Sequence, residues 1–98
     1  MDNPRLSSKE AEILRLLIAQ GEMYGLGLVN ASDALKRGTI YVMLGRMAEK
    51  GYVESREEET PPGDRAPRRL FRPTGHGVRA YRAWEAAGAA WDAAWQTV

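Results

Sequence analysis

Gly38-Thr39-Ile40-Tyr41-Val42-Met43-Leu44-Gly45-Arg46-Met47-Ala48-Glu49-Lys50-Gly51-Tyr52-Val53 is the stretch that decides how the rest of this sequence is read. Ile40, Leu44 and Met47 recur near a helical period, with Met43 beside them and Leu35 upstream. That stripe predicts a helix capped by Ser32 or Asp33 and running to about Lys50. Lys36, Arg37, Thr39, Tyr41 and Arg46 leave the stripe and make a basic, hydroxyl-bearing face. Gly51 is the helix stop. Tyr52-Val53-Glu54-Ser55-Arg56 then has strand character, so a helix with a polar, cationic face runs directly into a strand.

Upstream, Ser7 with Glu10 three residues later forms a capping box, and Leu6 stands where a hydrophobic staple would. Ile13, Leu14, Leu16, Leu17 and Ile18 give this first helix a wide apolar stripe, and Gly21 ends it. Tyr24 to Ala31 reads as a short second helix. Gly25 and Gly27 each cost it roughly 1 kcal/mol relative to alanine, so packing must hold it, and its small residues would let another helix approach closely.

Downstream, Glu57 to Glu59 continue the strand as a solvated edge that discourages further pairing. Thr60 to Pro67 is a proline- and glycine-rich loop, and Arg68-Arg69-Leu70-Phe71-Arg72 is the returning strand of a hairpin. Thr74 caps a last helix of about 22 residues, roughly 33 Å long at 1.5 Å per residue. The predicted order is helix, helix, helix, strand, strand, helix: a mainly α protein with a small β-hairpin wing. Residues 1–73 form the head and 74–98 the C-terminal helix, as one structural unit.

With 98 residues the chain has room for one core. No apolar run is long enough to span a bilayer, and the polar start lacks the layout of a signal peptide. The sequence has no cysteine, so disulfides and thiolate metal sites are excluded, and the expected location is the cytoplasm. Net charge is only +1, and the sequence pI of about 8.1 is below that of a strongly basic nucleic-acid binder. The distribution says more. Between Arg65 and Arg82 there are six arginines (Arg65, Arg68, Arg69, Arg72, Arg79, Arg82) and no acid. A local cationic patch binds phosphate even in a nearly neutral chain.

This is the winged-helix order, and its chemistry suits duplex DNA. A helix fits the major groove, and residues near its N-terminus reach base edges. Arg37 can make bidentate contacts with guanine, while Thr39 and Tyr41 can touch bases or donate to phosphate. A wing carrying Arg65, Arg68 and Arg69 can lie along a minor groove or clasp phosphates. For any one of these residues a solvated surface is the alternative. The whole order together with the basic wing favours DNA.

Three stretches resemble the PadR family of bacterial regulators. They are Met23-Tyr24-Gly25-Leu26 after the turn at Gly21, Gly38-Thr39-Ile40-Tyr41 continuing through Leu44 to Val53, and Pro67-Arg68-Arg69-Leu70-Phe71-Arg72-Pro73-Thr74-Gly75-His76-Gly77. The similarity covers about residues 6 to 80. It implies a winged helix-turn-helix fold, a double-stranded DNA target, a homodimer built on the last helix, and repression relieved by a small molecule. By position it implies that Thr39 and Tyr41 face DNA and that Arg68 and Arg69 serve the wing. The chain departs from the family at Val42, where a proline is frequent, at Leu70-Phe71, commonly an aromatic pair, and at Pro73, commonly aliphatic.

Tyr81, Trp84, Gly88, Trp91 and Trp95 follow a 3-4-3-4 spacing along the last helix, which puts them on one stripe. Three buried indoles represent on the order of 10 kcal/mol of apolar burial, more than so small a domain can cover with its own surface. The expected cover is a second copy related by a two-fold axis. Indoles paired across that axis are either interface core or a slot for a flat aromatic or cationic effector.

Other chemistry is thin. His76 is the sole histidine and has no thiol or imidazole companion, so no metal or other cofactor is expected. Gly25 and Gly27 lack the strand and lysine of a nucleotide loop. No nucleophile-and-base set marks an enzyme. A winged-helix protein-binding module that does not touch DNA is the other reading.

Overall fold

Helix α1 (Ser8–Gln20) begins where its capping box puts it. The Ser7 hydroxyl accepts the Glu10 amide at 3.1 Å, and the Glu10 carboxylate accepts the Ser7 amide at 2.9 Å. Gly21 ends the helix at φ +90°, and its amide bonds back to the Leu17 carbonyl. The computed structural model describes residues 6–58 and 68–96. Ile13, Leu14 and Leu17 of α1 are fully buried, so this helix is the spine of the core.

The structure then departs from the sequence reading, which has no strand here. Met23–Tyr24 forms a short strand, β1. It lies antiparallel to β3 (Arg69–Pro73), with Met23 opposite Phe71 and Tyr24 opposite Leu70. With β2 (Val53–Glu57) on the other side, the sheet has the order β1-β3-β2. The hairpin is therefore the larger part of a three-stranded sheet. Two residues are too few to show a period of two, and their partner is distant in sequence.

Helix α2 (Gly25–Ala31) is short and has no side-chain cap. Its glycine serves packing: a β-carbon on Gly25 would come within 2.7 Å of the Tyr41 ring of the following helix. At Gly25 it is the Tyr41 side chain of the following helix that comes close.

Helix α3 runs Ile40–Glu49, which corrects the predicted start near Ser32 or Asp33. Ser32 instead ends α2, donates its hydroxyl to Glu12 at 2.7 Å and accepts the Ala34 amide. Residues 32 to 39 form a connection pinned by buried Leu35. The Lys36 carbonyl receives the amides of Thr39 and Ile40, which turns the chain into α3. Lys36 and Arg37 therefore precede the helix and are not on it.

Gly51, at φ +79°, ends the α3 region as expected. Thr74 caps helix α4 (Gly75–Gln96): its hydroxyl accepts the Gly77 amide at 3.0 Å. The same hydroxyl donates to the Gly51 carbonyl at 2.5 Å. The Thr74 amide bonds to the Tyr52 carbonyl, and His76 stacks on the Tyr52 ring. One threonine thus joins the end of α3 to the start of α4. Ala80 of α4 is buried, and Tyr81 packs partly against the core. Every described side chain from Arg82 to Ala94 is exposed. No helix among the described residues is long and apolar enough to cross a membrane.

Candidate nucleic-acid interface

The surface of α3 opposite the core is built by elimination. Ile40, Leu44 and Met47 are fully buried and fix which side faces inward. Tyr41, Val42, Gly45, Arg46 and Glu49 remain exposed. Thr39 stands at the N-cap position, with its hydroxyl 3.5 Å from the Lys36 carbonyl. Lys36 and Arg37 lie beside this helix start and are exposed. Two cations and the positive end of the α3 dipole therefore occupy one edge of the surface. Tyr41 is 54% exposed although its ring lies over Gly25.

Arg46 also lines a shallow depression of about 250 Å³ with Ser7, Glu10, Met43 and Lys50, between the ends of α1 and α3. Within it Lys50 donates to Glu10 at 3.1 Å. Burial pushes the Glu10 carboxyl up in pKa, but the Ser7 amide and Lys50 outweigh that and hold it below its ordinary value.

On the sheet, the arginines have acidic partners. Arg72 pairs with Glu54 at 2.6 Å, and Arg69 pairs with Glu57 at 3.1 Å while also bonding the Ser55 hydroxyl. Both pairs are direct cross-strand neighbours in the β2–β3 register. Arg56 makes a two-pronged contact with Glu22 at 2.9 Å and 2.9 Å, and its guanidinium holds the Glu22 carboxyl below its ordinary pKa. Arg68 sits over the Tyr24 ring at 5.5 Å, and the Tyr24 hydroxyl donates to Glu58. Of the acids expected to be a solvated edge, Glu57 neutralises Arg69 and Glu58 accepts the Tyr24 hydroxyl. Arg65 lies outside the described residues.

The sequence reading missed Glu22, Glu54 and Glu57 as partners of these arginines. The signal was present: an acidic strand followed by a basic returning strand aligns opposite charges across a hairpin. It also passed over Val42 and Gly45, which join Arg46 on the outward face of α3.

On α4, Tyr81 and Trp84 stack with ring centroids 6.0 Å apart. Trp84 is 39% exposed and Trp91 63%. A β-carbon on Gly88 would meet nothing within 4 Å. Tyr81 thus joins the stripe to the core, while Trp84, Gly88 and Trp91 continue it outward. The Trp95 side chain lies outside the described residues.

Solved structures share this fold. A PadR family transcriptional regulator from Eggerthella lenta superposes with TM-score 0.76 at 21% identity, covering 92% of this chain and 80% of that one. Bacillus subtilis PadR in complex with operator DNA gives 0.71 at 18% identity, over 82% of this chain and 48% of that longer one. The PcaV regulator of Streptomyces coelicolor, with its natural ligand, gives 0.73 at 22% identity, over 94% of this chain and 62% of that one. Among curated proteins no sequence matches. The description "Transcriptional regulator PadR-like family" matches residues 13–83, which is most of the fold above. Four helices, a three-stranded wing sheet and that match together place the chain in the PadR-like family of transcriptional regulators.

Proposed function

We propose that this regulator is a homodimeric, sequence-specific DNA-binding repressor whose hold on its operator is released by a flat aromatic or cationic ligand. The observation that carries the reading is the exposed surface around α3, with Lys36 and Arg37 just ahead of the helix, Thr39 at its N-cap position, Tyr41 in its first turn and Arg46 exposed in its last turn. In the major groove, the helix start presents Thr39 and Tyr41 to bases and phosphates. Lys36 and Arg37, placed ahead of the helix, neutralise the flanking phosphates or reach the adjacent base. Arg68 and Arg69 hold backbone from the wing, and Arg65 precedes them in the sequence.

Residues 74–98 serve as the dimerisation element. Trp84, Gly88 and Trp91 lie exposed along α4, and a second copy of the helix would cover them. Gly88 leaves room for that approach. Two α3 helices then enter successive major grooves about 34 Å apart.

The release step follows from Thr74. Its hydroxyl ties the Gly51 carbonyl to the first turn of α4, so a change in α4 pairing moves the end of α3. A ligand entering between indoles changes the angle between the two heads. The Bacillus subtilis PadR complex with operator DNA and the PcaV complex with its natural ligand support these two halves of the reading.

The test is an electrophoretic shift with the duplex upstream of the gene for this protein. The expected result is a discrete complex whose affinity drops about a thousandfold between 50 and 200 mM salt when about six phosphates are neutralised. Replacing Arg68 and Arg69 by alanine weakens it. A chain that binds no duplex in dilute buffer contradicts the reading and favours a protein-binding module.

A further inference from the structure

We infer that Val42 reads the methyl group of a thymine in each half-site and so sets part of the sequence preference; the inference rests on the DNA-binding reading above. At about 100° per residue, Val42 lies about 200° around α3 from Ile40. That places it on the side away from the buried Ile40, Leu44 and Met47, and it is 56% exposed. A single exposed valine on an arbitrary surface needs no explanation. This one stands in the first turn of the helix, with Thr39 before it and Arg46 one turn after it.

Its neighbours leave it in front. The Tyr41 ring leans over Gly25 of α2 at the edge of this surface, where it is still 54% exposed, and so does not cover Val42. Gly45, three residues on, would meet no atom within 4 Å even with a β-carbon. A helix without a side chain there comes close to a groove floor, with the Val42 methyls as its leading apolar atoms.

The major-groove edge of a base pair offers donors, acceptors and one apolar group, the C5 methyl of thymine. Valine can satisfy none of the polar groups, and covering them without a partner is unfavourable. Contact with the methyl is the one favourable match, and cytosine lacks that methyl at the same ring position.

The test starts from duplexes that the wild-type protein enriches from a random pool. Each thymine in a recovered site is then replaced by deoxyuridine, which differs only in lacking the methyl group. One thymine per half-site is expected to lose roughly fourfold in affinity, the worth of one buried methyl, and both together roughly fifteenfold. Val42→Ala is expected to bind thymine and uracil duplexes equally while keeping the wild-type helical spectrum. Enriched duplexes with no methyl-sensitive thymine overturn the inference alone, as does a uracil penalty that Val42→Ala retains. A pool from which nothing is enriched overturns the DNA-binding reading and this inference with it.

Discussion

A β-carbon on Gly77 would lie 2.1 Å from the backbone carbonyl oxygen of Tyr52, so the first turn of α4 touches the chain leaving α3 with no room for a side chain. Together with the Thr74 hydroxyl, this contact sets the direction in which α4 leaves the head. The Gly77→Ala protein must move α4 or Tyr52 and is expected to lose about 2 kcal/mol. In a domain of this size that lowers Tm by roughly 10 °C. Gly88→Ala is the opposite case. Its site is open, and alanine favours a helix by about 1 kcal/mol, so the protomer helix gains. Thermal unfolding followed by circular dichroism compares the two. Equal effects would contradict the packing described for Gly77.

Glu10 predicts a pH dependence. Its folded pKa lies below the ordinary 4.5, because the Ser7 amide and Lys50 favour the carboxylate against burial. Its contribution is therefore complete above that ordinary value and is lost as the pH falls through the lower, folded one. Glu10→Gln keeps a side chain able to cap Ser7 but loses the charge facing Lys50. It is expected to cost about 1 kcal/mol at pH 7 and close to nothing in strong acid. Urea unfolding at a series of pH values measures the difference. A gap that persists unchanged at pH 2 would contradict this role.

Local signals in the sequence were enough for the helix ends. Ser7 with Glu10, Gly21, Gly51 and Thr74 each act through neighbours a few residues away, and each sits where the sequence put it. The start of α3 does not show in the sequence, because Leu35 continues the apolar pattern without belonging to the helix. Leu35 is buried, but from the connection, and its five-residue gap to Ile40 does not fit a helix. Ser32 looked like a cap, yet its hydroxyl serves Glu12 on another helix. Strand β1 exists through pairing with Phe71 and Leu70, a long-range contact that leaves no local trace in two residues. The winged-helix order with its basic wing is legible, and so is an acidic strand followed by a basic one, but which acid faces which arginine depends on the β2–β3 register.

Those acids predict an affinity gain. Arg69 is held by Glu57 in an exposed pair, and such pairs contribute at most about 1 kcal/mol to stability. Glu57→Gln should leave Tm within a few degrees of wild type. It frees Arg69 for phosphate and removes from the wing a charge of the same sign as DNA, so, if the proposed interface holds DNA, duplex affinity is expected to rise about three- to tenfold at low salt. Arg69→Ala is expected to lower it. Fluorescence anisotropy on a labelled duplex reads both, and an unchanged affinity in the two variants would remove this pair from the interface.

The exposed indoles predict the assembly. Trp84→Asp with Trp91→Asp places charges on the α4 stripe, beyond the buried Ala80. The double variant is expected to keep a folded head while losing self-association by at least about a hundredfold, since large interface aromatics dominate such contacts. Size-exclusion chromatography with light scattering reads the mass. A variant that still elutes as the wild type does would place the dimer contact elsewhere.

In the proposed assembly two copies joined through α4 present two α3 helices to one duplex. Sedimentation equilibrium of the wild-type protein at micromolar concentration, alone and with its upstream duplex, decides whether this assembly forms. The expected result is a particle of twice 10.9 kDa and a complex holding two chains per duplex. A single 10.9 kDa particle that leaves the duplex unbound in dilute buffer would contradict it.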